Sequence, residues 1–292
     1  MAGWRIRWAA KRLFSVENFK NQKRHLVNPS AYYAALMLKL IPGLHRSPLQ
    51  LHLKSGTRLF IRDFMSLYIY HEIFLDEVYD AELKNRAPLV IDIGANTGFF
   101  ALYAKQRWPD AKILCFEPLP DNGDQLEKNI EANALDGVAL YRQGVAGTCS
   151  QAALHVHAKN IGGHSIYAER AGSISIPISV IDIGTVLDLA GEATCDLLKI
   201  DCEGCEYDII NRLTQAQADR IGQILYEPTP ALYDSKMLNG RLRQLGYSVS
   251  YRKGLYHATR RQSLIFAPAP KPTPETRARC VASQTSPVEP IS

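Results

Sequence analysis

The sequence predicts an α/β protein: a mostly parallel sheet with helices on both faces. Three observations carry this. Short apolar runs near 89–93, 112–116, 138–142, 196–200 and 223–227 alternate with helical patterns near 97–107, 122–133, 205–213 and 232–243, the spacing of strand–helix–strand units. The first of these strands, Val90-Ile91-Asp92-Ile93, breaks into Gly94-Ala95-Asn96-Thr97-Gly98 and then into helical spacing, a turn at which a ligand can approach bare backbone. Finally, Tyr247–Tyr251 and Gln262–Ala267, around Lys253-Gly254, read as a closing antiparallel pair.

The flanking segments follow from composition. Residues 1–45 form a basic, helical N-terminal arm ending at Pro42-Gly43. The main domain then spans 46–267, beginning with a leading segment, 46–87. In that segment Leu49–Leu53 and Arg58–Ile61 alternate around Ser55-Gly56 as a hairpin, and Ser66–Tyr79 reads as a helix rich in Tyr and Phe. Ala153–His157 and Ile174–Val180 read as extra strands within a longer excursion. Residues 268–292 hold six of the sixteen prolines and little periodicity, and read as a disordered tail.

Charge is uneven. The chain carries +5 overall, yet residues 1–25 hold seven Lys/Arg against Glu17, leaving the remainder near −1. No basic groove for nucleic acid is therefore expected in the main domain. Trp4, Trp8, Phe14 and Phe19 interleave with these cations, so peripheral contact with an anionic membrane is one reading of residues 1–25. A solvated basic helix is the other and preferred one, since the apolar positions form no single stripe. The longest apolar stretch, Ala31–Ile41, contains Lys39 and falls short of the ~20 residues that span a bilayer. Met1–Phe14 is interrupted by Arg and Lys and lacks the core of a secretory signal. Six scattered cysteines form no disulfide framework, so a reducing, cytoplasmic setting is expected.

The chemistry gathers at strand ends. A dinucleotide site wants Gly-x-Gly-x-x-Gly, but position 96 is Asn and Asp92 precedes the turn. Both suit S-adenosylmethionine, whose charged methionine end needs polar or anionic neighbours. Glu117, nineteen residues after Gly98, closes the second strand where a ribose diol lies in nucleotide-binding α/β folds. Gly144 and Glu227 end further strands, and Leu197–Gly204 sets Asp201 and Glu203 just after another. For that pair the competing reading is capping of the following helix. A base that takes a proton from an acceptor hydroxyl is assigned first to Asp201, then Glu203, then His164. No metal is assigned, although Asp201, Glu203 and Glu227 offer three oxygens to a divalent cation. Cys202-x-x-Cys205 lacks the second pair that zinc needs and reads as packing. Tyr68, Tyr70 and Tyr79 suit either a sugar-binding mouth or a buried helix face.

These motifs resemble the FkbM family of S-adenosylmethionine-dependent methyltransferases. The likeness rests on Asp92–Gly98, on Phe116-Glu117-Pro118-Leu119-Pro120, and on Leu198–Glu206, in that order. It is similar also at Arg62-Asp63, His71–Phe74, Ile161–Ser165 and Val180-Ile181-Asp182, although the Thr of the family's Thr-Leu-Asp segment is absent. Where the family often has Glu-x-His, this chain has Glu227-Pro228-Thr229. The resemblance covers roughly 50–267. It implies a Rossmann-like class I methyltransferase fold, seven strands with the last antiparallel. It also implies O-methylation of a hydroxyl on a sugar, glycan or other small natural product. Cofactor contacts are then expected from Asp92, Gly94, Asn96, Gly98, Glu117, Pro118, Gly144 and Asp201. The alternatives are a nucleotide- or NAD-binding Rossmann oxidoreductase and a non-catalytic methyltransferase-like scaffold.

Overall fold

The computed structural model describes residues 2–41, 47–157, 173–191 and 193–260. Helices α1 (Ala2–Leu13), α2 (Val16–His25) and α3 (Pro29–Leu38) lead into a hairpin of β1 (Leu49–His52) and β2 (Arg58–Ile61). Helix α4 (Phe64–Tyr70) follows and runs into a π-helical turn, His71–Leu75. The alternating core comprises β3 (Leu89–Ile93), α5 (Phe99–Arg107), β4 (Lys112–Phe116), α6 (Pro120–Ala132) and β5 (Val138–Tyr141). Next come β6 (Gly144–Ala146), β7 (Ser150–His157), β8 (Ser173–Asp182) and α7 (Ile183–Leu189). The chain returns through β9 (Cys195–Ile200), α8 (Cys205–Arg212), α9 (Gln215–Asp219), β10 (Ile221–Tyr226) and α10 (Ser235–Gln244). It closes with β11 (Tyr247–Arg252) and β12 (Leu255–Arg260).

Seven strands form one sheet in the order β11-β12-β10-β9-β3-β4-β5. From β10 to β5 all neighbours are parallel, and β12, the last strand, runs antiparallel between β10 and β11. This is the class I methyltransferase sheet. The partner of β11 begins earlier than Gln262, because Lys253 and Gly254 both have positive φ (52° and 89°) and turn the chain in two residues. Residues 262–292 lie outside the described residues.

Side-chain alternation divides the core. Val90, Ile113, Cys115, Leu197 and Leu225 face a cluster completed by α5 and by Tyr32, Ala35 and Leu36 of α3. Ile91, Ile93, Leu198, Ile200 and Ile224 face a second cluster with α7, α8 and α10. The basic arm is thus packed, with Trp4 and Trp8 set edge-on to Phe64 at 5.7 and 5.4 Å. The helix expected over Ser66–Tyr79 stops at Leu75, since Glu77 takes a left-handed backbone (φ 48°). Asp182 caps α7 by accepting from the Thr185 amide at 2.8 Å. Strand β8 lies between β6 and β7 in a small separate sheet.

A buried polar network ties the arm down. The Tyr32 hydroxyl lies 2.7 Å from His71 Nε2, Gln22 Nε2 is 3.4 Å from the same atom, and the Tyr70 hydroxyl donates to Gln22 Oε1 at 2.9 Å. Burial, with Arg12 beside it, pushes the His71 pKa down from 6.5 to about 3. His71 therefore stays neutral while the unfolded chain takes up a proton, so its contribution is complete above pH 6.5 and is lost on acidification towards pH 3. Chemical denaturation across that window should show wild-type stability falling by up to about 1.4 kcal/mol per pH unit more steeply than His71→Gln.

Candidate functional site

The site forms where the strand order reverses, between β3 and β9, the place at which open α/β sheets bind ligands. After β3 the chain turns through Gly94, Asn96 and Gly98, with φ of 77°, 50° and 81°. A Cβ on Gly94 would lie 1.7 Å from the Asp201 carbonyl oxygen, so only glycine lets the two loops meet. A Cβ on Gly98 would press on Leu126 at 2.8 Å. Glu117 fixes the turn from the next strand. Its Oε2 accepts from the Asn96 amide at 2.8 Å and its Oε1 from the Leu119 amide at 2.9 Å. Burial raises the Glu117 pKa to about 7, although these amides work to lower it.

Beneath the turn lies a buried ion pair. Asp92 and Lys199 stand side by side in the β3–β9 register, Lys199 Nζ being 2.9 Å from Asp92 Oδ1. The ammonium also donates to the Gly94 carbonyl at 3.1 Å and lies 3.6 Å from Asp201 Oδ2. Burial opposes its charge, but Asp92 and Asp201 outweigh burial and hold the Lys199 pKa above the ordinary lysine value. Among the described residues, Asp92 Oδ2 is buried without a hydrogen-bond partner.

The next loop separates capping from chemistry. Glu206, in the first turn of α8, accepts from the Cys202 amide at 2.9 Å and the Gly204 amide at 2.8 Å, with Thr229 and Tyr233 hydroxyls on the same carboxylate. Glu206 therefore does the capping that Asp201 and Glu203 seemed suited to, and those two carboxylates line the cleft. Asp201 Oδ2 accepts from the Tyr79 hydroxyl at 2.9 Å. Burial raises the Cys202 thiol above its ordinary value.

A cleft of about 210 Å³ joins two halves. One half is lined by Gly94, Asn96, Phe116, Glu117, Pro118 and Gly144. The other holds carboxyl groups of Glu72, Asp201, Glu203 and Glu227, with Tyr68 and apolar Leu154, Ile178 and Val180. Glu227 is raised to about 9 by Asp201, then by burial, Glu72 and Glu203. Glu72 is raised to about 7, chiefly by burial. Among the described residues no group of three His, Cys, Asp or Glu has metal-holding geometry.

Of the cofactor contacts expected from the sequence, six line the cleft; Asp92 and Gly98 stand behind it, supporting the turn. His164 lies outside the described residues. The three tyrosines divide, Tyr68 lining the cleft, Tyr79 bonding Asp201, and Tyr70 buried in the core. Sequence reasoning missed Glu72 and Lys199. Lys199 had one signal, a cation inside the apolar run Leu197–Ile200.

A family profile for the methyltransferase FkbM domain matches residues 92–252, the whole span from the buried pair to β11. The chain belongs to this family. As an FkbM-family methyltransferase it is similar to Methyltransferase 1 of Beauveria bassiana, 27% identical over 205 residues, covering 64% of this chain and 82% of the relative. It is also similar to Methyltransferase sdnD of Sordaria araneosa, 29% identical over 55% of this chain and 73% of the relative. A third relative is the 31-O-demethyl-FK506 methyltransferase FkbM of Streptomyces tacrolimicus, 27% identical with the same coverages, 55% and 73%.

Removing one partner of the buried pair leaves the other uncompensated. Lys199→Met should lower stability by about 3–5 kcal/mol in urea unfolding. Asp92→Asn combined with Lys199→Met should unfold closer to wild type than the single variant does.

Proposed function

We propose that this methyltransferase transfers a methyl group from S-adenosylmethionine to a hydroxyl of a sugar, glycan or other small natural product. The carrying observation is the carboxyl-lined chamber, continuous with the glycine-turn half of the cleft. The residues fit the cofactor chemically. Glu117, although it accepts from two backbone amides and from Asn122 Nδ2, keeps acceptor capacity for a ribose diol. Asp201 offers charge to an ammonium group, and Gly94, Asn96, Phe116, Pro118 and Gly144 complete the wall. When bound, S-adenosylmethionine supplies an electrophilic methyl carbon.

The chain's own work is to position the acceptor oxygen and remove its proton. The first choice of base from sequence was Asp201, with Glu203 second. Asp201 is already engaged by Tyr79 and Lys199, so we assign it to binding and the base to Glu72. Its pKa of about 7 is matched to proton transfer near neutrality. Glu227, protonated below about 9, can donate a hydrogen bond where an ionised carboxylate only accepts. The name of the Streptomyces tacrolimicus relative, an O-demethyl-compound methyltransferase, supports transfer to oxygen.

Calorimetric titration with S-adenosylhomocysteine tests the reading directly, and a folded wild type that fails to bind overturns it. Because a ribose diol donates to the ionised form of Glu117, affinity should rise as pH increases through about 7 and level off above it. Below that point it should weaken by about tenfold per unit, and Glu117→Gln should flatten the profile. Release of S-adenosylhomocysteine, followed over a panel of hydroxylated glycans, identifies the acceptor. With that acceptor, kcat should rise through about 7 as Glu72 ionises and fall through about 9 as Glu227 loses its proton. Glu72→Gln should lower kcat by about 10²–10⁴-fold without loss of cofactor affinity; an unchanged kcat would remove Glu72 from this role.

A further inference from the structure

The face that α1 and α2 turn away from the core joins apolar and cationic side chains. At the turn between these helices Phe14 is 82% exposed and Val16 69%, with Leu13 and Phe19 also in the open. Arg7, Lys11, Lys20, Lys23 and Arg24 are exposed around them, and Glu17 is the sole acidic residue of the two helices. On the opposite side of α1, Trp4 and Trp8 pack inward on Tyr68 at 5.7 and 5.8 Å. The arm therefore presents two distinct faces. One is bound to the wall of the cleft; on the other, Phe19 rests on Tyr33 at 6.3 Å and Lys23 lies over the Phe19 ring, while Phe14 and Val16 stand exposed.

We propose that the α1–α2 turn seats on an anionic phospholipid surface. Leu13, Phe14 and Val16 enter the interface, while Lys11, Lys20 and Lys23 meet lipid phosphates. Charge complementarity selects this occupant. Apolar side chains ringed by Lys and Arg match a bilayer boundary, where acyl chains lie directly beneath negative headgroups. A second copy of the chain would set the same cations against one another. Residues 268–292 carry Lys271, Arg277 and Arg279 against Glu275 and Glu289, so they bring no net negative charge to the face. Nucleic acid supplies phosphates but no apolar layer for Phe14 and Val16. The docking stands independently of the reaction. Its consequence rests on the proposed methyl transfer: Tyr68 lines the cleft, so the acceptor chamber would lie about one helix diameter, ~10 Å, from the lipid.

Co-sedimentation of the full chain with vesicles tests this. One set is pure phosphatidylcholine; the other replaces roughly a quarter of it with phosphatidylglycerol. Binding should favour the anionic vesicles and fall by about tenfold or more when salt rises from about 0.05 to 0.5 M. Phe14→Glu with Val16→Glu, and separately Lys11→Glu with Lys20→Glu, should each weaken it by about tenfold or more. All these positions are exposed, and unchanged circular dichroism and thermal midpoints confirm that the variants fold. Absence of wild-type binding, or binding that neither pair of substitutions weakens, overturns the proposal. So does a concentration-dependent dimer abolished by Phe14→Glu, which would give the face to self-association.

Discussion

The ion pair between Asp92 and Lys199 is the constraint on which the site depends. A charge on each of two adjacent parallel strands, both sealed from water, is costly unless the two meet and the remaining donors find partners. Lys199 meets that demand with three oxygens: the Asp92 carboxylate, the Gly94 carbonyl and, more distantly, Asp201. These belong to strand β3, to the glycine turn and to the loop after β9. One ammonium, 107 residues along the chain from Asp92, thereby ties the β3–glycine-turn segment to the loop after β9. The close approach of Gly94 to the Asp201 carbonyl is the steric counterpart of that electrostatic tie.

Around this centre the acidic residues divide their work by environment rather than by type. Glu206 and Glu117 accept backbone amides and shape loops. Asp201 is shared between Lys199 and the Tyr79 hydroxyl. Glu72 and Glu227 lack such donors in strength, so crowding and burial raise their affinity for protons. Because Glu206 takes the amides at the start of α8, Asp201 is left to face the cleft. A single carboxylate set back from the cleft thus decides what its neighbours can do.

Much of the sheet was legible because buried parallel strands are continuous apolar runs, and Leu89–Ile93, Lys112–Phe116 and Cys195–Ile200 appear almost to the residue. The glycine turn and Glu117 were legible for a similar reason: backbone approach and a strand-end carboxylate leave local marks. Glu72 left none. It sits in an aromatic-rich helix whose π-helical turn (His71–Leu75) and whose packing on the sheet bring it to the cleft. The packing of the arm was not legible because its inward face, Trp4, Trp8 and Ala9, interleaves with cations that point outward. Only the partner surface, Phe64, Tyr68 and His71, distinguishes the two. Helix α7 was missed because its cap, Asp182, ends a β-rich run.

The stretch matched by the family profile begins at Asp92, whereas Met65, Tyr68, Ile69 and Glu72, which wall one side of the chamber, all precede it. The chamber is thus walled from two lengths of chain, this leading one and the matched one that supplies Leu154, Ile178, Val180, Glu203 and Glu227. Changes confined to the leading residues can therefore reshape one wall of the chamber while the glycine turn and the buried ion pair stay as they are.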